Sequence, residues 1–317
     1  MNASLPTYVI INPASRSGYG LKLWNRLAPL FRTAGVSCKP VLSSVQKGIT
    51  AIAEEISQTD EMINIIVLGG DGTLNEVVNG IRDFDTVNLG YIPIGSANDF
   101  GKAVGITDPE EAVRTMIGND APVLRDLGVV SYYIEGTSSD APSGTRYFNI
   151  STGIGFDADC CWLSDHTCLK KFLNRLHLGS LIYLTSALRL IIANRRARHT
   201  VADSGASRSF NRSMFTVCMN TGYEGGGFRF CPDADPSDGV LSLCNADGIG
   251  RLGFFLLFPK AYGGAHIGCK GIFSTVGTAF TVTSDRAQHF HADGEVIDEK
   301  VTKLEVGILP GKVRWLL

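Results

Sequence analysis

The apolar run from Ile63 to Leu68, closed by glycines and followed at once by Gly69-Gly70-Asp71-Gly72-Thr73-Leu74-Asn75-Glu76, limits the possible folds of this chain more than any other segment. A nearly continuous apolar strand is what a parallel sheet covered by helices on both faces requires. Leu89 to Ile94 is a second run of the same kind. Around them strand and helix signals alternate: Tyr8 to Ile11 as a strand ending at Asn12-Pro13, Leu21 to Phe31 with helical apolar spacing, Val36 to Leu42 as a strand. A helix from about Val45 to Ile56 is expected behind Ser43, with Gln46 completing a capping box. Asp108-Pro109 with Glu111 opens one more helix, since Asp caps and Pro suits the first helical position. The pattern predicts an open, mostly parallel α/β sheet with helices on both faces, a three-layer domain over 1–123.

From about Val123 the pattern changes to strands separated by turns: Leu124 to Tyr132, Arg146 to Ile150, Ser213 to Met219, Leu241 to Cys244, Ala279 to Thr283 and Gln288 to His291. An all-β second domain over 124–304 is the simplest reading, with a tail near 305–317 packing back on the first domain. Its helical insertion is expected from about Lys170 to Ala197. The apolar stretch Leu181 to Ile192 is interrupted by Arg189 and is shorter than the roughly 20 residues a bilayer span needs. It reads as a core helix, with an interfacial role as the alternative suggested by Arg195, Arg196 and Arg198. Ser138 to Thr145 reads as a hairpin end.

With 29 Lys+Arg against 31 Asp+Glu the formal charge is -2, so there is little field to draw in a nucleic-acid backbone, and no nucleic-acid partner is expected. Hydrophobic residues at 44% and charged residues at 19% exclude a disordered chain. The eight cysteines, Cys168 among them, show no Cys-x-x-Cys pair and read as reduced buried thiols. The first residues lack a basic stretch followed by an apolar one, and a cytoplasmic location is the expectation.

The chemistry lies in the polar loops. In Gly69 to Glu76 the glycines form a strand-to-helix turn, and Thr73 with Glu76 reads as a second capping box. Such a turn offers backbone N–H groups and the positive end of a helix dipole to an anion. Asp71 would be repelled by a phosphate unless a divalent cation lay between them, which argues for Mg²⁺ with a polyphosphate. A glycine-rich turn with a solvated Asp is the plainer alternative. The loops Pro93 to Phe100 and Asn12 to Gly18 end neighbouring strands, and parallel strands share one crevice at their carboxyl ends. Ser96, Asn98 and Asp99 should therefore lie near Asp71. Neither a dinucleotide fingerprint nor a Walker A loop is complete: Leu23 stands at the third glycine, and Ala103 where Ser or Thr should hold metal. Further along, His291-Ala292-Asp293-Gly294-Glu295 places two carboxylates around a turn, candidates for metal binding and general-base work, with a solvated β-turn as the equal alternative. Asp235 to Val240 is acidic enough to hold a cation yet is equally a hairpin signal. His289 and His291 share a strand face without further ligands for zinc.

Taken together, Asn12-Pro13-x-Ser15, Gly69-Gly70-Asp71-Gly72-Thr73-x-Asn75-Glu76, Pro93-x-Gly95-Ser96-x-Asn98-Asp99-Phe100 and Asp293-Gly294-Glu295 resemble the diacylglycerol kinase catalytic-domain family and its soluble bacterial, YegS-like lipid kinases. Gly153-x-Gly155-Phe156-Asp157 and the Asp238-Gly239 turn extend the resemblance over nearly the whole chain. The resemblance implies a nucleotide domain of the NAD kinase and diacylglycerol kinase type, followed by a β-sandwich. It implies ATP contacts at Asn12, Ser15, Ser44, Gly69, Gly70, Asp71, Gly72, Thr73, Asn75, Ser96 and Asn98. By the same carry-over Asp71 and Asp99 organise a catalytic Mg²⁺, and Glu295 is the general base. A structural Mg²⁺ would lie at Asp235, Asp238 and Val240. One departure stands out: Arg16 follows Ser15 where the family usually has glycine, and it can supply a phosphate-binding cation.

The expected activity is transfer of the γ-phosphate of ATP to the hydroxyl of a membrane lipid, by a protein that visits the bilayer surface. An exposed sheet edge in the second domain also allows a homodimer. Two rivals have distinct signatures. An NAD kinase-like enzyme would form NADP and has no use for the apolar insertion, whereas a nucleotide- or lipid-sensing module has no use for a base at Glu295.

Overall fold

The computed structural model describes residues 1–13, 15–44, 46–119, 121–137, 140–166, 190 and 196–317. Most of the expected helical insertion, with Cys168, Leu181 to Arg189 and Arg195, lies outside the described residues, as do the side chains of Arg16 and Ser17. The described chain forms two compact units, Met1–Leu127 with Pro310–Leu317, and Gly128–Leu309. The boundaries fall a few residues beyond 123 and 304.

The first unit is the α/β layer structure that the buried runs require. Strands β1 (Thr7–Ile11), β2 (Cys38–Leu42), β3 (Ile63–Gly69) and β4 (Val87–Pro93) pair in parallel in the order β4-β3-β1-β2. Every residue of β3 and β4 is buried, as strands covered on both faces must be. Helices α1 (Tyr19–Thr33) and α5 (Pro109–Gly118) cover one face through Leu23, Leu27, Phe31, Val113 and Met116 against Val9, Ile11, Ile66 and Ile92. Helices α2 (Ile49–Ile56) and α3 (Asp71–Val78) pack together on β1 and β3, and α4 (Asp99–Ala103) is a short turn after β4. Arg314 and Trp315 add a fifth parallel partner on the free side of β4, opposite Asn88 and Leu89.

A polar ladder fixes this register. Asn64 Nδ2 donates to Thr7 Oγ1 at 3.0 Å, Asn88 Nδ2 to Asn64 Oδ1 at 3.0 Å, and Arg314 Nε to Asn88 Oδ1 at 3.2 Å. These residues are directly opposite one another across four strands. A slip of one residue would strand two buried amides among apolar neighbours, at about 1–3 kcal/mol for each unpaired group.

Asp108 caps α5 as expected, accepting from the N–H groups of Glu110 and Glu111 at 2.9 Å. The two capping boxes do not form. Helix α2 starts at Ile49 behind Gly48, and α3 starts at Asp71 behind Gly70, so Thr73 sits inside its helix. In place of closing a box at Thr73, the Glu76 carboxylate accepts the Ile49 N–H at the start of α2. The glycines permit both helices to begin earlier or later than side-chain caps would dictate.

The second unit is the β-sandwich, built of β5 (Val123–Ile134) from Gly128 on, β6 (Gly144–Phe148), β7 (Ser151–Gly155), β8 (Ala197–Ala202), β9 (Ser207–Met219), β10 (Leu241–Asp247), β11 (Ile272–Gly277), β12 (Ala279–Ala292) and β13 (Glu295–Trp315) as far as Leu309. Antiparallel pairing runs β11-β10-β9-β7-β12-β13, with β8 on β9 and β12, and the β5–β6 hairpin beside β13. Phe148, Ile154, Phe210, Leu243, Phe280, Phe290 and Leu304 fill its core.

It is not all-β. Helix α6 (Phe156–His166) follows β7 directly, and α7 (Arg251–Tyr262) lies between β10 and β11. Leu252 to Phe258 is apolar around the whole helix, so it shows no helical period to read. The segments Ala279 to Thr283 and Gln288 to His291 are one strand, bent by register shifts in its middle. Ala197, expected at the end of a helix, opens β8. Among the described residues no helix is long and apolar enough to cross a membrane.

Candidate active site

The loops after β1, β3 and β4 meet, as parallel strands with a common edge demand. Asn12 Nδ2 lies 3.4 Å from Thr73 Oγ1, which ties the first loop to the start of α3. The second and third loops touch backbone to backbone. A Cβ on Gly95 would stand 2.7 Å from Cα of Gly70, and a Cβ on Gly69 would stand 2.4 Å from Cβ of Thr73. The glycines of the motif thus serve close approach first, and N–H presentation at the start of α3 second. Gly70 has no side chain with which to cap that helix.

Asp71 is the hinge of the arrangement. Its carboxylate accepts the N–H of Asp99 at 3.0 Å, the N–H of Phe100 at 3.4 Å and the hydroxyl of Tyr91 at 3.4 Å. The N-terminus of α4 therefore stabilises the charge, and Asp71 needs no cation to rest beside the glycine turn. Burial first, then the charge and hydrogen bond of Asp71 and the charge of Asp99, hold the Tyr91 hydroxyl well above its ordinary range, so it remains a donor. Asp99 is buried and pairs with Lys102 Nζ at 2.9 Å.

Asn98 has a structural part. It adopts φ 51°, accepts the Gly95 N–H at 2.7 Å and donates to the Gly95 carbonyl at 3.1 Å, closing its own loop. Asn75 is buried in α3 beside Thr73, whereas Ser96 and Ser44 are exposed, Ser44 Oγ accepting the Lys47 N–H. Ser15 opens a 3-10 turn, its N–H on the Asn12 carbonyl. A hard cation suits the oxygen donors at this edge. Asp71 is the residue that would hold Mg²⁺, with Asp99 already tied to Lys102.

In the second unit, Asp293 and Gly294 form the two-residue turn between β12 and β13, at φ 51° and 81°. Asp293 is committed to the fold. Its carboxylate accepts the N–H groups of Asn149, Ile150 and Ser151 at 2.9, 2.8 and 3.1 Å, which favours the turn over a metal ligand. Glu295 follows, exposed, as the first residue of β13. His291, fully buried, places Nε2 3.1 Å from Asp157 Oδ2 and 3.3 Å from Glu224 Oε1. His289 pairs instead with Asp159, so the two histidines answer separate carboxylates of α6.

Asp235, Asp238 and Val240 do come together, in one tight turn. Asp238 Oδ1 accepts the Val240 N–H at 3.0 Å, and Asp235 Oδ1 accepts the Ser237 N–H at 3.0 Å. Its own hydrogen bonds close this turn.

Two family models match the chain: the Diacylglycerol kinase catalytic domain over residues 6–125, and the YegS C-terminal NAD kinase beta sandwich-like domain over residues 162–317. Residues 6–125 belong to the Diacylglycerol kinase catalytic domain family, and residues 162–317 to the YegS C-terminal domain family. YtlR of Bacillus subtilis (strain 168) is 26% identical over 311 residues, 97% of this chain and 98% of YtlR. The diacylglycerol kinase of the same organism is 27% identical over 307 residues, 96% of this chain and 91% of that one. A crystal structure of a diacylglycerol kinase from Bacillus anthracis str. Sterne shares the fold, with a TM-score of 0.67 at 16% identity over 98% of this chain and 96% of that one.

Sequence reading missed Tyr91, Lys102, and the cluster of Asp157, Glu224 and His291. Two signals were there to be used. Glu224 precedes three consecutive glycines, Gly225 to Gly227, all at positive φ, which is what a carboxylate placed by a tight loop looks like. Gly153 precedes Asp157 because a Cβ there would lie 1.9 Å from Asp157 Oδ2.

Proposed function

We propose that this chain transfers the γ-phosphate of ATP to the hydroxyl of a membrane lipid such as diacylglycerol, working at the bilayer surface. The observation that carries the reading is the Asp71 carboxylate on the Asp99 N–H, between the glycine turn of α3 and the loop of Gly95 to Asn98. That arrangement leaves backbone N–H groups and an acidic oxygen donor at one sheet edge, the two requirements of a polyphosphate with its metal. The names borne by the relatives supply the acceptor class.

In this reading the start of α3 and Asn12 bind phosphate, and Asp71 holds Mg²⁺. The metal, when bound, neutralises charge on the transferring phosphoryl group. Glu295 takes the proton of the lipid hydroxyl as its oxygen bonds to phosphorus and the bond to the ADP oxygen breaks. Only modest basicity is required of it, because a loose transition state is stabilised mainly by charge and positioning.

The test is transfer of radiolabelled γ-phosphate into mixed micelles carrying a lipid panel, with Glu295→Gln beside the wild type. Label in a lipid that disappears in Glu295→Gln with ATP binding retained is the expected result. Label in no lipid, with NADP formed from NAD, would replace this reading with the soluble-substrate one.

A further inference from the structure

The turn that carries Glu295 is held from two sides. Asp293 anchors it to the amides between β6 and β7, and the Gly294 N–H donates to His291 Nδ1 at 3.2 Å. The second contact is informative about the ring. If Nδ1 accepts from Gly294, it carries no proton, and the proton of the neutral imidazole sits on Nε2. There it faces Asp157 Oδ2 from α6 and Glu224 Oε1 from the loop after β9.

We propose that His291 is a positioning residue for Glu295: Nδ1 holds the Gly294 N–H, and Asp157 and Glu224 hold the Nε2 proton that keeps Nδ1 an acceptor. The inference deepens the proposed function and rests on it, since it concerns the base of that reaction.

Gly153, paired with His291 across β7 and β12, is bare because a Cβ would stand 2.9 Å from Nε2 as well as on Asp157. Asp157 is oriented by the Ala158 N–H at 2.9 Å, and Glu224 by a two-way backbone bridge to Phe228 at 2.8 Å. Asp157, Glu224 and His291 place one ligand atom each within 4.8 Å of one another, a spacing that would also suit a metal ion. The Gly294 contact decides against it, because a metal on Nε2 needs the lone pair that the proton occupies.

Protonation of Nδ1 would break the Gly294 contact. Burial of the ring opposes the imidazolium, but the Asp157 hydrogen bond and charge and the charges of Glu224 and Asp293 outweigh it and raise the His291 pKa to about 8. Besides these three carboxylates, the titratable groups among the described residues that feel the charges of the cluster are His199 on β8, which burial holds below its ordinary value, and the thiols of Cys160 on α6, Cys218 on β9, Cys231 in the loop after it and Cys244 on β10. Burial first, then neighbouring charges including Asp157 or Glu224, hold all four far above the ordinary thiol range and therefore neutral.

Two substitutions divide the ring's duties. In His291→Asn the side-chain oxygen replaces Nδ1 as acceptor for Gly294, with nothing to titrate; in His291→Gln the amide nitrogen replaces Nε2 as donor and Nδ1 is lost. Transfer from ATP into dioctanoylglycerol micelles is measured for both between pH 6 and pH 9.5. Wild-type kcat is expected to rise through about pH 8. His291→Asn should keep kcat within a few-fold and lose that limb, and His291→Gln should lose about 10- to 100-fold in kcat with the KM for ATP unchanged. Glu224→Gln keeps the ring and should move the limb to lower pH. Nitrogen NMR of the ring in folded wild type should show the unprotonated signature on Nδ1 above the transition.

Equal kcat in both His291 variants, or a neutral ring protonated on Nδ1, overturns the proposal whatever the melting temperatures. No transfer to lipid by the wild type overturns instead the function on which it rests, and the NMR result still judges the hydrogen bond.

Discussion

The Asp99 N–H reaches Asp71 Oδ2 across 3.0 Å, so the acidic residue after β3 is held by the helix that follows β4. Asp71→Asn preserves the shape and removes the charge. Turnover should fall by about 10²- to 10³-fold, with a stability loss of about 1–2 kcal/mol from weaker bonds to the two amides. Paired kinetic and urea-unfolding measurements separate the two effects, and unchanged turnover would remove Asp71 from the chemistry.

The approach of Gly70 and Gly95 leaves no room for a side chain on either. Gly95→Ala puts a methyl group 2.7 Å from backbone and should cost about 1–3 kcal/mol and weaken ATP binding measured by calorimetry. Gly118, with nothing within 4 Å of its Cβ position, is the control. Gly118→Ala should leave ATP affinity as it is.

Removal of the Asp293 carboxylate abandons three buried amides. Asp293→Ala should lower unfolding free energy by about 3 kcal/mol or more, and Asp293→Asn by less because an acceptor remains. If denaturant midpoints for both match the wild type, the amides of Asn149, Ile150 and Ser151 have other acceptors.

Stability should depend on pH through His291. A folded pKa of about 8 lies above the ordinary value of 6.5, so the histidine's contribution is fully present below 6.5 and is lost as pH rises through 8. The difference corresponds to about 2 kcal/mol. His199 and His266, lowered chiefly by burial, act in the opposite sense, their contribution being present above 6.5 and lost as pH falls through the folded values. Melting temperatures between pH 6 and pH 9 should decline on the alkaline side in the wild type and decline less in Glu224→Gln.

Trp315 is 1% exposed, and its ring lies 4.5 Å from that of Phe100, next to Asp99. Trp315→Ala should cost about 3–5 kcal/mol and loosen the Asp71 contacts, seen as a lower melting temperature and weaker ATP binding together. Loss of stability with ATP affinity intact would show that the α4 turn is held independently.

Much of the first unit was legible because its central strands are short and mostly apolar and its loops are ordered by parallel pairing: Ile63 to Leu68 and Leu89 to Ile94 became β3 and β4, and Asp71 came to lie on Asp99. The polar ladder was not, since Asn64 and Asn88 look like interruptions of apolar strands until their register is known. The capping boxes misled because Gly48 and Gly70 start α2 and α3 without side-chain help. In the second unit, β13 mixes Glu, Lys, Gly and Pro over 21 residues and hides its alternation. His291 meets Asp157 across 134 positions of sequence, a contact no local pattern reports.

The pairing of Trp315 with Leu89 also sets an order of events during synthesis. Translation proceeds through the whole of Gly128–Leu309 before Pro310–Leu317, the segment that completes the first sheet, has been made. Until then the outer side of β4 is an open edge, able to pair with another nascent chain. The first unit begins folding first and finishes last, and ribosome-bound intermediates ending near residue 309 are where aggregation and chaperone capture should concentrate.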